Sequence, residues 1–257
     1  MRSGVGSAQW NMALDEALWR SFSKVGRPTL RLYRWTRPTL SLGYSQRAEE
    51  FDLGECARLG VEIIRRPTGG RAVLHGLEVT YSLVHPLEGM GGVNESHRKI
   101  GEALALGLRK LGLAAELVKA ERSSLASSAA CLEVPSYSEL TIAGRKVAGS
   151  AQVRNHLALL EHGSLPLELD LERLAAVLWP DGLPRERFKD LLRRRAGGLR
   201  EFAAQLRLEE VEDAIIAGFA ERFEVEPVEG PPTTEELKLA EELVERKYGD
   251  SRWNFRR

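Results

Sequence analysis

The chain is poor in residues that mark the common structural devices. Only two of its 257 residues are cysteine, Cys56 and Cys131. That is too few for a disulfide framework, so a reducing compartment is expected. His75, His85, His97, His156 and His162 stand at no metal-binding spacing. Neither H-E-x-x-H nor C-x-x-C occurs, and no structural metal is expected. No apolar run approaches the ~20 residues of a bilayer span, and Met1 to Trp10 carry no apolar signal core. A soluble, cytoplasmic protein without a membrane partner is expected. Neither sign of charge prevails: 37 basic residues face 37 acidic ones. That balance argues against a nucleic-acid partner and leaves room for a local basic patch that meets an acidic protein. Internal repeats and low-complexity tracts are also missing.

What is present is a globular balance of 43% hydrophobic and 29% charged residues, enough to build a core without disulfides or metal. Trp10, Leu14, Ala17, Leu18 and Phe22 share one helical stripe and predict an opening amphipathic helix. Short strands are expected around Leu30–Leu32 and Leu40–Leu42, separated by a turn at Pro38. Further strands are expected at 61–65, 72–75 and 79–85. Asn94 is the expected N-cap of a helix carrying Ile100, Leu104, Leu108 and Leu111. The Ser- and Ala-rich stretch 122–130 reads as a mobile loop. A hairpin is expected from 139–142 and 146–153, turning at Gly144, with two more strands at 157–160 and 164–169. Helices follow near 171–178, 185–195, 209–223 and 234–247, the last with a capping box from Thr233 and Glu236. Strands early and helices late predict an α+β chain, read as a single catalytic domain over 1–257 that is helix-rich from about 171.

Chemistry concentrates in three segments. Arg65-Arg66-Pro67-Thr68-Gly69-Gly70-Arg71-Ala72-Val73-Leu74-His75 sets a double-Gly loop between two strands, where backbone N–H groups can approach a ligand. Its arginines suit an anionic group, but the loop lacks the Gly-Lys-Ser/Thr ending of a Walker sequence. Taken alone, a strand–Gly-Gly–strand segment is more often just a hairpin. Ala130-Cys131-Leu132-Glu133-Val134-Pro135-Ser136 holds a cysteine among small residues, either a nucleophile needing a depressed pKa or a buried small hydrophobe. Cys56, in a predicted helix, fits the second description. Gly144-Arg145-Lys146-Val147-Ala148-Gly149-Ser150-Ala151-Gln152 places Lys146 just after a turn, beside small residues that leave room for a ligand. A lysine there can polarise a carbonyl and favour a thiolate, or simply sit in solvent. His75 can line a pocket or serve the fold. The Arg193-Arg194-Arg195 run reads as a solvated helix face.

Together the segments at 65–75 and 144–152, with Lys247-Tyr248 and Trp253-Asn254-Phe255 near the end, resemble the lipoate–protein ligase and octanoyltransferase superfamily. The likeness spans Asn11 to the end. It is closest to the branch that charges the glycine cleavage H protein, because of the segment around Cys131 and because Arg71 stands where ligases commonly carry a third glycine. The resemblance implies the catalytic domain shared with biotin ligases, mixed β-sheets flanked by helices. It implies Cys131 as nucleophile and Lys146 as its partner. Arg66, Thr68, Gly69, Gly70, Arg71, His75, Gly149, Ser150 and Ala151 are then expected to bind substrate. Octanoyl-acyl carrier protein is the implied donor and a lysine of the H protein or another lipoyl domain the acceptor, with no cofactor. Three alternatives remain open: an ATP-dependent lipoate–protein ligase that does not need Cys131, an amidotransferase passing octanoate from H protein to E2 subunits, and a silent acyl-protein binder.

Overall fold

A computed structural model describes residues 1–119, 138–178 and 183–256. Its elements run in the order β1 (Arg2–Gly6), α1 (Ala8–Val25), β2 (Thr29–Trp35), β3 (Thr39–Leu42), α2 (Leu53–Arg58), β4 (Glu62–Arg65), β5 (Val73–His75), β6 (Glu78–Pro86) and α3 (Val93–Lys110). They continue with β7 (Ala115–Lys119), β8 (Ser138–Ile142), β9 (Arg145–Lys146), β10 (Gly149–Arg154) and β11 (Ala158–Pro166). Helices α4 (Leu171–Val177), α5 (Arg185–Arg195), α6 (Leu208–Phe223), α7 (Thr234–Leu243) and α8 (Ser251–Asn254) follow, with a π-helical turn at Val244–Tyr248 between the last two. The expected α+β class is observed, with mixed sheets flanked by helices. Among the described residues no helix is long and apolar enough to cross a membrane.

The largest sheet has the order β1-β2-β6-β11-β10. Its outer pair, β1 and β2, is parallel, and its other pairings are antiparallel. A second sheet, β4-β3-β5, pairs β3 parallel to β4 and antiparallel to β5. A third, β7-β8-β9, is antiparallel throughout. One face of the large sheet packs on α3 and α6 through residues such as Tyr81, Leu104, Leu108 and Phe219. Those helices touch closely: a Cβ added to Gly218 would lie 2.2 Å from Ala103 O, and one on Gly107 would lie 2.5 Å from Ala214 O. The other face carries α1 and α7. The small sheet packs on α2, α4 and α5.

The apolar stripe of α1 is buried as expected, but Asn11, Asp15 and Glu16 are buried with it. Thr233 and Glu236 form the expected capping box, with N···O distances of 3.2 and 2.6 Å. Elsewhere the structure corrects the sequence reading. Helix α3 starts two residues early, with Gly92 rather than Asn94 as its N-cap. The strand expected at 146–153 is two strands in different sheets, β9 and β10. The strands around Leu30 and Leu40 also lie in different sheets. The two strands expected at 157–160 and 164–169 are one, β11, buried along its whole length between β6 and β10. Its interior Glu161-His162-Gly163-Ser164 interrupts the apolar run, which hid its continuity from a pattern reading. Strands β1 and β7 were not expected; β1 is a largely exposed strand with two glycines, Arg-Ser-Gly-Val-Gly, and has no alternating pattern to betray it. The loop expected at 122–130 lies outside the described residues.

Candidate active site

The double-Gly segment leaves β4 at Arg65 and enters β5 at Val73. Gly70 has φ of 83°, in the left-handed region that glycine adopts without strain. Gly43, at the end of β3, packs against this loop so closely that a Cβ there would lie 2.0 Å from Gly70 O. The Arg66 guanidinium braces the loop from within. It donates to Ser41 O at 2.8 Å, Gly69 O at 2.7 Å and Arg71 O at 2.6 Å. The Arg71 guanidinium instead reaches Glu50, 4.0 Å away.

Beneath the loop lies a partly open cavity. Arg66, Val73 and His75 line it from the loop and β5, Gly149, Ser150 and Ala151 from β10, and residues including Trp35 and His162 from elsewhere. Five of the expected binding residues, Arg66, His75, Gly149, Ser150 and Ala151, therefore face one space. Thr68 is held behind it, its Oγ1 2.7 Å from His162 Nε2. A second, partly open cavity lies beside the first. Its walls include Leu74, Leu169, Leu174, Leu178 and Leu192, and it shares Val73, Gly149 and Ser164 with its neighbour.

Buried polar residues that pattern reading passed over fix the walls. Asp15, on the buried face of α1, receives Arg31 Nη1 at 2.7 Å and Ser82 Oγ at 2.6 Å on Oδ1, and Tyr33 OH at 2.8 Å on Oδ2. His162 Nδ1 also lies 3.0 Å from Oδ2. Burial pushes the Asp15 pKa up, but Arg31, His162 and Ser82 more than offset that and hold it below the usual value. Burial, with the charges of Arg66 and His75, lowers His162, so this imidazole is neutral near neutrality. Nδ1–H then donates to Asp15, and Nε2 accepts from the Thr68 hydroxyl. A parallel set holds His75: Nδ1 is 2.6 Å from Glu78 Oε1 and Nε2 is 2.8 Å from Ser41 Oγ. Trp35 stacks on the ring at 4.1 Å. Glu78 is fully buried, yet His75, Thr80 and Ser164 outweigh the burial and keep its pKa low. One signal of these residues was present in the sequence: a charged residue inside an apolar stripe or strand is seldom buried unless it is paired.

Lys146 is 4% exposed on β9, with Nζ 3.0 Å from Glu139 Oε1, and is not among the residues lining the first cavity. Cys131 lies outside the described residues. Cys56 is buried in α2, and its thiol is pushed up to about 11 by burial and then by Asp52 and Glu55. That is the setting of an unreactive thiol. Arg193 and Arg194 are exposed on α5, as a solvated face requires.

The family model described as lipoyl protein ligase A/B catalytic domain matches residues 7–220. The chain belongs to this family. It is 46% identical to an octanoyltransferase LipM of Carboxydothermus hydrogenoformans, over 96% of this chain and 94% of the relative. It is 38% identical to the octanoyltransferase LipM of Bacillus subtilis, over 99% and 96% of the two chains. Among solved structures, a bi-partite lipoate protein ligase from Thermoplasma acidophilum superposes with a TM-score of 0.84 at 30% identity, covering 98% of this chain and 95% of that one. A lipoate-protein ligase A bound with ATP superposes at 0.82 and 30% identity, covering 99% and 96%. As a member of the lipoyl ligase A/B family with full-length acyltransferase relatives, the chain is an enzyme of the acyltransferase class.

Proposed function

We propose that this acyltransferase moves an octanoyl group from octanoyl-acyl carrier protein to a lysine of the glycine cleavage H protein, or of another lipoyl domain, through a thioester on Cys131. The observation that carries the reading is the full-length identity of 46% to a relative named an octanoyltransferase. In the first half-reaction the Cys131 thiolate bonds the acyl carbon as the donor carbon–sulfur bond breaks, releasing the carrier thiol. In the second, the acceptor amine bonds that carbon and Cys131 leaves. A thioester exchanges for a thioester and then for an amide, so no nucleotide is needed. Lys146, held by Glu139, supplies the positive charge that favours the thiolate. Arg66, Thr68, Gly69, Gly70, Arg71, His75, Gly149, Ser150 and Ala151 are proposed to bind substrate. The octanoyl tail suits the leucine-lined cavity, where ~0.8 kcal/mol per buried CH₂ favours a medium chain over a short one.

The rival reading, an ATP-dependent ligase, draws on the structural match to a lipoate-protein ligase A bound with ATP. Intact-protein mass spectrometry after mixing with octanoyl-acyl carrier protein, without ATP, separates the two. The proposal expects one octanoyl adduct, labile to hydroxylamine, present in Cys56→Ser and missing from Cys131→Ser. No adduct, with lipoyl-domain modification only when lipoate and ATP are supplied, would establish the ligase.

A further inference from the structure

A row of hydrogen bonds leaves the first cavity from Ser150, through residues that the reaction above does not use. Ser150, on β10, lines the cavity with its Oγ 2.7 Å from Tyr81 OH, on β6. Tyr81 OH donates to Glu161 Oε1, on β11, at 3.3 Å. His97 Nδ1, on α3, lies 3.0 Å from the same oxygen, and Gln152 Nε2 donates to Oε2 at 2.6 Å. Tyr81 and Glu161 are fully buried, whereas the His97 side chain is 17% exposed. The row therefore runs from the cavity to the surface.

Its polarity follows from its members. Both oxygens of Glu161 are met by donors, the setting of a carboxylate, which only accepts. Tyr81 thus turns its proton toward Glu161, and its oxygen accepts from Ser150. Ser150 has one proton and has given it away from the cavity, so it offers the cavity a lone pair. A serine turned this way is unsuited to an oxyanion, which requires a donor. It is suited to an amine N–H.

We propose that Ser150, Tyr81, Glu161 and His97 receive the acceptor amine in the second half-reaction and carry its surplus proton to the surface. This rests on the thioester reading above. The acceptor arrives as an ammonium with three protons, and one must leave before its nitrogen has the lone pair that bonds the acyl carbon as the bond to Cys131 breaks. The amide keeps one, the Cys131 thiol takes one, and one leaves the site. Ser150 accepts it while passing its own proton to Tyr81. Tyr81 passes its proton to Glu161, and neutral His97, in the tautomer that carries its proton on Nε2, takes it at Nδ1 and releases one from Nε2 to water. His97 is a suitable terminus. Burial lowers its pKa, but the hydrogen bond to Glu161 and the charge of Glu161 raise it past the ordinary 6.5. Among the described residues the groups that face it are Glu161 on β11, the Ser138 backbone on β8, which also raises it, and the charge of Lys146 on β9, which opposes. Tyr81, Glu161 and His97 act through Ser150 and are positioning residues.

The two half-reactions separate the idea from a merely structural role. Octanoyl-enzyme is prepared from octanoyl-acyl carrier protein and mixed with purified H protein, and amide formation is followed by intact mass from about pH 5.5 to 9, the range around histidine titration. Wild-type aminolysis is expected to rise with pH, its midpoint above the ordinary histidine value, because protonated His97 cannot take the proton. Tyr81→Phe is expected to slow aminolysis roughly tenfold to a hundredfold while thioester formation changes little. His97→Gln keeps a polar side chain beside Glu161 but cannot titrate, and is expected to remove the rise. Normal aminolysis and an unchanged profile in both variants would overturn the relay and leave the thioester reading intact. Equal slowing of both half-reactions would also overturn it, marking damage to the fold. No thioester on the wild-type protein would remove the step itself, and both proposals with it.

Discussion

Arg31 and Arg65 are both fully buried, and their charges are accommodated in opposite ways. Arg31 meets a charge. It donates to Asp15 Oδ1 at 2.7 Å, to Asn11 O at 3.0 Å and to Asn11 Oδ1 at 2.8 Å, and it stacks over Tyr33 at 4.0 Å. Arg65 meets dipoles. Its guanidinium donates to the carbonyls of Gly43, Tyr44 and Gln46 on one side and of Trp253, Asn254 and Arg256 on the other. The first arrangement orients Asp15, and through it His162 and Thr68, at the cavity wall. The second stitches the chain's last turn to the loop that supports Gly70. Ionic pairing gives the site its side-chain geometry and makes it sensitive to pH. Carbonyl coordination joins backbone segments and has no carboxylate to protonate.

The sharpest way to break that contrast is Asp15→Asn, which leaves Arg31 buried without its counter-charge. A loss of about 3–5 kcal/mol is expected, read by urea unfolding. The pH dependence should go with it. The Asp15 pKa is depressed in the fold, so its contribution is present above the unfolded value of ~3.9 and lost as pH falls through the lower folded value. Unfolding of Asp15→Asn should therefore be less steep in acid than that of the wild type; equal steepness would assign the acid response elsewhere. Arg65→Lys tests the dipole side. A lysine keeps the charge but has three donors and no planar fork, leaving buried carbonyls unmet at about 1–3 kcal/mol. The damage should be local, with the segment after Gly249 cut by protease before the rest of the chain. Global unfolding without early cutting would mean the stitch is part of the main core. The smallest change, Gly43→Ala, lies where the two regions meet. Its methyl would crowd Gly70 O, so the double-Gly loop must shift at a cost of about 1–2 kcal/mol. Acyl transfer should fall more than stability does.

Legibility in the sequence followed locality. The double-Gly segment and the lysine segment stood out because turn chemistry and small residues are neighbours in the chain. The α1 stripe and the Thr233–Glu236 cap were readable for the same reason. Ser150 and His75 were found through those segments. Asp15, Glu78 and His162 were missed, because a periodic pattern treats each as an interruption and not as a partner. Glu161 to Ser164 even split β11 in two on paper, while in the fold that polar stretch runs past the cavity.

Local order in the chain therefore determined most of the secondary structure, the family, and the loop that roofs the cavity. Only the tertiary structure decided which polar groups meet. Thr68 and His162 are 94 residues apart and His162 and Asp15 are 147 apart, so no periodicity links them. Strand order and the packing of α1 on the large sheet bring them together, and burial then requires each to find its partner, because an unpaired polar group in the core costs more than the fold can spare.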